Sequence, residues 1–149
     1  MIHKRGYWIE ISDKNTHLCD EKLCRALIKM FTGKTIVDIG CGDGSYTRNF
    51  IDAGIECTGY DGSPLTTEIS NGLCHIRDFS QPVNIGLFGV VISLEVGEHI
   101  PKKYEKIFID NLCNTSRQWV CLSWAIKGQP GFGHVNCQNN DYIIAEMSK

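Results

Sequence analysis

The segment Thr35-Ile-Val-Asp-Ile-Gly-Cys-Gly-Asp-Gly-Ser-Tyr46 constrains this chain most. A β-prone run, Ile36 to Ile39, stops at a tight turn holding Gly40, Gly42 and Gly44. Tyr46 and Phe50 then fall on one helical face, and Gly54 is a natural stop. Strand, glycine turn and helix open a nucleotide-binding α/β sheet. Glycines let the backbone approach a ligand, and the helix N-terminus favours an anion. Gly40, Cys41, Gly42 and Gly44 are therefore expected against a cofactor. The spacing is G-x-G-x-G, with Ser45 where a dinucleotide fingerprint carries its third glycine.

A second acidic residue stands where a ribose binder should. Ile55 to Tyr60 reads as the next strand, and Asp61 follows Gly40 by 21 positions. One carboxylate can accept from two ribose hydroxyls at the carboxyl edge of a sheet, with Gly62 beside it. Asp61-Gly62-Ser63-Pro64 is also a turn sequence in its own right.

The remaining pattern alternates. Leu23, Ala26, Leu27, Met30 and Phe31 recur at helical spacing, with Asp20 as cap and Gly33 as stop. Strands are expected at 35–39, 55–60, 73–76, 87–94 and 119–125, and helices at 45–53, 64–71, from a first turn holding Pro101, and at 141–147. Leu87 to Leu94 is nearly unbroken apolar sequence, as in a strand buried on both faces. Such alternation implies an α/β fold, a parallel sheet with helices on both faces and strand order 3-2-1-4-5. Its ligand should bind where strands 1 and 4 diverge. One domain over 1–149 is expected, with an irregular segment at 1–19 anchored by Tyr7, Trp8, Ile9 and Ile11.

With Asp38 two residues before the first glycine, D-I-G-C-G-D-G resembles motif I of class I S-adenosylmethionine (SAM) dependent methyltransferases. The similarity runs from about residue 20 to 149. It implies a Rossmann-like fold in which Asp38 anchors the glycine turn or the SAM amino group and Asp61 holds the ribose. Asp78 would receive the adenine amino group, and Phe79 would pack on the ring. The family usually adds an antiparallel hairpin beside strand 5, for which no sequence follows here. Either the sequence is a piece of a longer protein, or strand 5 is an open apolar edge with Trp119 and Trp124, expected to pair with a second copy of the chain, with Asp141 to Lys149 folding over it as the alternative.

Ser93-Leu-Glu-Val-Gly-Glu-His-Ile-Pro101 resembles the motif after strand 4 in many SAM methyltransferases, including ubiquinone-biosynthesis O-methyltransferases. Gly97 departs from the bulky residue usual there. The resemblance puts Ser93 at the cofactor and Glu95, Glu98 and His99 near the methyl group. His99, with an ordinary pKa of about 6.5, is the candidate base. E-x-x-E-H with a later histidine also resembles the metal-ligand set of small-RNA 2′-O-methyltransferases. In that reading Glu95, Glu98, His99 and His134 hold Mg²⁺, Mn²⁺ or Zn²⁺. The plainer alternative has Glu98 and His99 capping the next helix and His134 shaping its loop. Within the glycine-rich loop, Phe132, His134 and Asn136 are candidate acceptor contacts. Tyr7, Trp8 and His17 are candidates for a lid.

Composition narrows the field. The chain has 149 residues, a net charge of −2 and no basic run longer than Lys4-Arg5 or Lys102-Lys103, which argues against a broad nucleic-acid surface. No apolar stretch reaches the ~18 residues of a membrane span. Eight cysteines without C-x-x-C or a visible secretory signal suggest reduced thiols and a cytoplasmic protein. Cys19 and Cys24 are a weaker candidate pair for a metal. The expected function is methyl transfer from SAM to an oxygen of a small molecule. Alternatives are metal-assisted RNA 2′-O-methylation, a non-catalytic SAM-binding subunit and an NAD-binding domain.

Overall fold

The computed structural model describes residues 1–10 and 19–149. Ile11 and His17, named above as anchor and lid, lie outside the described residues. At the centre is β1 (Ile36–Ile39), all four residues buried. β2 (Cys57–Asp61) and β4 (Phe88–Ser93) flank it in parallel, and β3 (His75–Ile76) and β5 (Ser116–Leu122) form the edges. The order is β3-β2-β1-β4-β5, as the alternation implied.

Because side chains alternate along a strand, two cores follow from one sheet. Ile36, Val90 and Ile92 face Leu27 and Phe31 of α1 (Glu21–Phe31) and Phe50 of α2 (Ser45–Asp52). Val37, Ile39 and Val91 face Phe108, Ile109 and Leu112 of α4 (Lys102–Thr115) and Ile143 of α5 (Asn140–Met147). The single turn α3 (Thr66–Ile69) links β2 to β3. Phe50 and Phe108 are almost wholly buried, each worth roughly 1.5–3 kcal/mol. Asp20 caps α1 as expected, accepting from the N–H groups of Lys22 and Leu23, a contact worth about 1 kcal/mol.

Several boundaries move. β5 begins at Ser116, three residues before the expected start, because α4 runs into it without a loop. It also ends early, at Leu122, and Ser123 makes the last backbone bond to Ser93. Trp124 therefore leaves the sheet edge. Its indole packs on Phe108 and donates to the Asn136 carbonyl at 2.7 Å. Only Trp119 stays on the edge, 60% exposed. Pro101 is the cap of α4, not part of its first turn. Within the described part of the N-terminal segment, Ile2 and Trp8 form an isolated antiparallel bridge, and His3 N–H donates to the Tyr7 carbonyl.

Candidate active site

A cleft of about 460 Å³ opens above the carboxyl ends of β1, β2 and β4. Gly40 and Cys41 line one side, Asp61 and Gly62 the next, and Asp78 and Phe79 a third. Glu95 and His99 close the remaining wall. Gly40 has φ +83, and an added Cβ would overlap the Val96 side chain, so only glycine fits between β1 and the β4 loop.

The glycine turn is braced from β2. Asp61 Oδ2 accepts from Gly42 N–H at 3.0 Å and Oδ1 from Ser63 N–H at 2.7 Å. Gly42 and Gly44 thus shape the turn, while Gly40 and Cys41 face the cleft. Ser93 also lies behind the wall: its hydroxyl donates to the Ile39 carbonyl at 2.9 Å and ties β4 to β1. Asp38 lines the cleft and accepts the Thr47 hydroxyl at 2.7 Å, which fixes the start of α2. Burial, reinforced by the charge of Asp61, pushes its carboxyl up to about 7 against the pull of Thr47.

Asp78 is engaged from two sides. Oδ1 accepts from Ser80 N–H and its hydroxyl, and Oδ2 pairs with Arg5 at 2.7 Å. Burial works to raise its pKa, but these donors outweigh it and hold the carboxyl below the usual range. Through Arg5 the N-terminal hairpin is latched to the cleft, where Tyr7 and Trp8 join its lining.

At the end of β4, Glu95 takes φ +56, a left-handed conformation that costs roughly 1–2 kcal/mol for a residue with a side chain. Its N–H donates to the Ser123 hydroxyl at 2.8 Å, which helps hold the kink. A 3₁₀ turn, Gly97–His99, follows. Gly97, the departure from the motif, has its reason here: the Trp124 ring lies where a side chain would stand. His99 Nδ1 donates to the Gly133 carbonyl at 3.1 Å, since that oxygen can only accept. Burial holds its pKa below the ordinary value, so the imidazole is neutral at pH 7 with its lone pair on Nε2.

The three acceptor candidates part company. Phe132 is 72% exposed and stacks on Trp8 at 5.3 Å, beside the cleft mouth. His134 turns inward towards Glu98. Asn136 is displaced from an acceptor role: its buried amide donates to Glu105 at 2.8 Å, within a network that also includes Lys102 and Tyr142. Glu98 lies behind the wall, not on it. All eight cysteines are free thiols. Among the described residues, the one group of three metal-ligating side chains is Glu98, His99 and His134, so Cys19 and Cys24 lack a third ligand. The lining also includes Leu94, Val96, Tyr46 and Ser123, none of which the sequence marked as a site residue.

A family model described as a methyltransferase domain matches residues 11–115. The chain is 32% identical over 96 residues to the probable tocopherol O-methyltransferase, chloroplastic, of Oryza sativa subsp. japonica, covering 56% of this chain and 26% of that protein. It is 36% identical over 83 residues to the tocopherol O-methyltransferase, chloroplastic, of Arabidopsis thaliana, covering 47% and 24%. The match thus spans about a quarter of the length of these relatives. Magnesium protoporphyrin IX methyltransferase from Synechocystis PCC 6803, with bound SAH, shares the fold, with a TM-score of 0.63 and 21% identity over 85% of this chain and 69% of that one. No helix among the described residues is long and apolar enough to cross a membrane.

Proposed function

The chain belongs to the class I SAM-dependent methyltransferase family, and on that premise we propose that it binds SAM in the 460 Å³ cleft and transfers the methyl group to an oxygen of a small-molecule acceptor. One observation carries the choice of cofactor. The cleft is lined by six carboxylates (Asp20, Asp38, Asp43, Asp61, Asp78 and Glu95) and, among its described lining residues, by no lysine or arginine. That lining suits a ligand bearing a sulfonium and an ammonium, and it opposes the pyrophosphate of NAD.

In this reading the ammonium lies towards Asp38, the ribose hydroxyls at Asp61, and the adenine between Asp78 and Phe79. The acceptor enters beside Glu95 and His99. Its oxygen attacks the methyl carbon in line with the breaking C–S bond, the electron pair stays on sulfur, and the hydroxyl proton passes to His99 Nε2. The names of the plant relatives, both O-methyltransferases, support an oxygen acceptor.

Asp38 supplies a test. An ammonium beside it favours the carboxylate, so ligand binding must lower a pKa that burial has raised to about 7. Below that pH the ligand has to displace a proton; above it the carboxylate is ready. Affinity for S-adenosylhomocysteine (SAH) should therefore rise between pH 6 and 8, with proton release on binding. Calorimetry in buffers of different ionisation heat measures this. An Asp38→Asn variant with an unaltered pH dependence would remove the ammonium from this position.

The open edge fits self-association. Among the described residues β5 pairs with β4 alone, and Trp119 projects from it. A two-fold dimer through β5 covers both. Light scattering at micromolar concentration should find a dimer that Trp119→Lys dissociates; a monomeric wild type would contradict this.

A further inference from the structure

Two thiols converge beside the glycine turn. Gly59 stands in the middle of β2, and a Cβ placed on it would lie 2.6 Å from Cys74 Sγ, 3.1 Å from Cys41 Sγ and 2.6 Å from Thr47 Oγ1. Cys74 Sγ is also 2.7 Å from where a Cβ on Gly44 would stand. A glycine inside a strand marks a place where another group comes close, and here two glycines leave room for the sulfurs. The sulfurs cannot be farther apart than their two Gly59 distances laid end to end. Topology explains the meeting of residues so distant in sequence. β1 and β3 flank β2, Cys41 follows β1 by two positions, and Cys74 directly precedes β3.

The pair is asymmetric. Cys74 is wholly buried, whereas Cys41 is half-buried and lines the cleft beside Gly40. An oxidant entering the cleft therefore meets Cys41 first. The Cys41 thiol donates towards Cys74, which lowers the Cys74 pKa and raises that of Cys41. When a proton leaves the pair, the charge settles on the Cys74 sulfur, the form in which a thiol attacks. No step of the proposed methyl transfer uses either sulfur.

We propose that Cys41 and Cys74 are a modification site, an oxidisable pair at which hydrogen peroxide closes one disulfide between the glycine turn and the head of β3. Cys41 takes one peroxide oxygen, its S–H becoming S–OH, and the rest of the peroxide leaves as water. The Cys74 sulfur then attacks the Cys41 sulfur. The S–O bond breaks, and the hydroxide leaves as water with the Cys74 proton. The two thiols give up two electrons, and one peroxide is reduced to two waters. An S–S bond is about 2.05 Å long, so closing it draws the Cys41 side chain towards Cys74. The Cys41 backbone is part of the turn: its N–H donates to the Tyr60 carbonyl at 3.1 Å, and its carbonyl accepts from Gly44 N–H at 2.9 Å. The bond thus pulls on the turn that faces SAM, and oxidation and SAM binding oppose each other. That consequence rests on the SAM reading; the bond itself does not.

Hydrogen peroxide applied to the full reduced chain, followed by non-reducing digestion and mass spectrometry, tests the site. The expected product is a linked pair of Cys41 and Cys74 peptides, lighter by two hydrogens and separated by dithiothreitol. The oxidised chain should bind SAH at least about tenfold more weakly than the reduced one, and by linkage SAH should shift the bond's equilibrium in a glutathione buffer towards the thiols by the same factor. Cys74→Ser should form no such bond. Its Cys41, without a partner, should go on to the sulfinic acid, which dithiothreitol does not reduce. Unlinked Cys41 and Cys74 in the treated folded chain, or Cys41 linked instead to other cysteines, would overturn the proposal: the two thiols would then be packing alone. A linked pair with equal SAH affinity in both forms would remove the effect on the cofactor. A linked pair with no SAH binding even by the reduced chain would leave the site standing and fail the SAM reading.

Discussion

Replacing His99 with alanine is expected to cut methyl transfer by about 100-fold or more while SAH affinity stays within a few-fold. The asymmetry follows from position. His99 lines the cleft with Glu95, at the end of β4 rather than in the glycine turn or at the end of β2. Its imidazole is oriented by the Gly133 carbonyl, and Trp8 meets it edge-on at 6.1 Å. On the proposed reading, losing the ring removes the lone pair that would receive the acceptor proton and leaves Asp61, Asp78 and Phe79 in place. Steady-state turnover with an identified acceptor, set beside an SAH titration of the same variant, separates the two quantities. Full activity in His99→Ala would reduce the residue to packing between hairpin and loop.

The second large effect is expected at Asp61. Asp61→Ala should weaken SAM and SAH by roughly 1.5–3 kcal/mol, the range for hydrogen bonds to a charged group. Two consequences coincide in this variant. On the proposed reading the ribose hydroxyls would lose their acceptor, and the Gly42 and Ser63 N–H groups lose the carboxylate that fixes the glycine turn. Asp61→Asn separates them in part, because it keeps an oxygen for one N–H and drops the charge. A thermal melt of each variant reports the turn, and calorimetry reports the ligand. Unchanged SAH affinity in a folded Asp61→Ala protein would take the ribose away from this residue.

Much of the framework was legible because it is written in local pattern. β1 is a short β-branched run ended by glycines, β4 an apolar run with no polar face, and α1 a helical stripe behind a capping aspartate. Order and handedness then follow from alternation. What escaped were contacts between distant segments. The apolar run around β5 continues to Trp124, and periodicity alone cannot reveal that the chain leaves the sheet after Ser123. The Arg5–Asp78 pair joins segments 73 positions apart, and neither residue marks the other in sequence.

The Asn136–Glu105 bond did leave a trace. Glu105 heads the apolar stripe Phe108, Ile109 and Leu112 at i, i+3, i+4 and i+7, so a carboxylate on a buried face was readable and needed a partner. Glu98 is the contrary case. Its motif placed it near the chemistry, while the lack of any hydrogen bond to its buried oxygens among the described residues emerges only in three dimensions.

If the acidic cleft receives SAM, isothermal titration of the wild-type chain with SAM, SAH and NAD, under one set of conditions, separates the cofactor classes. Saturable one-to-one binding of SAM and SAH is expected, lost or strongly weakened in Asp61→Ala, with no binding of NAD. Binding of NAD with no response to SAM or SAH would contradict that reading.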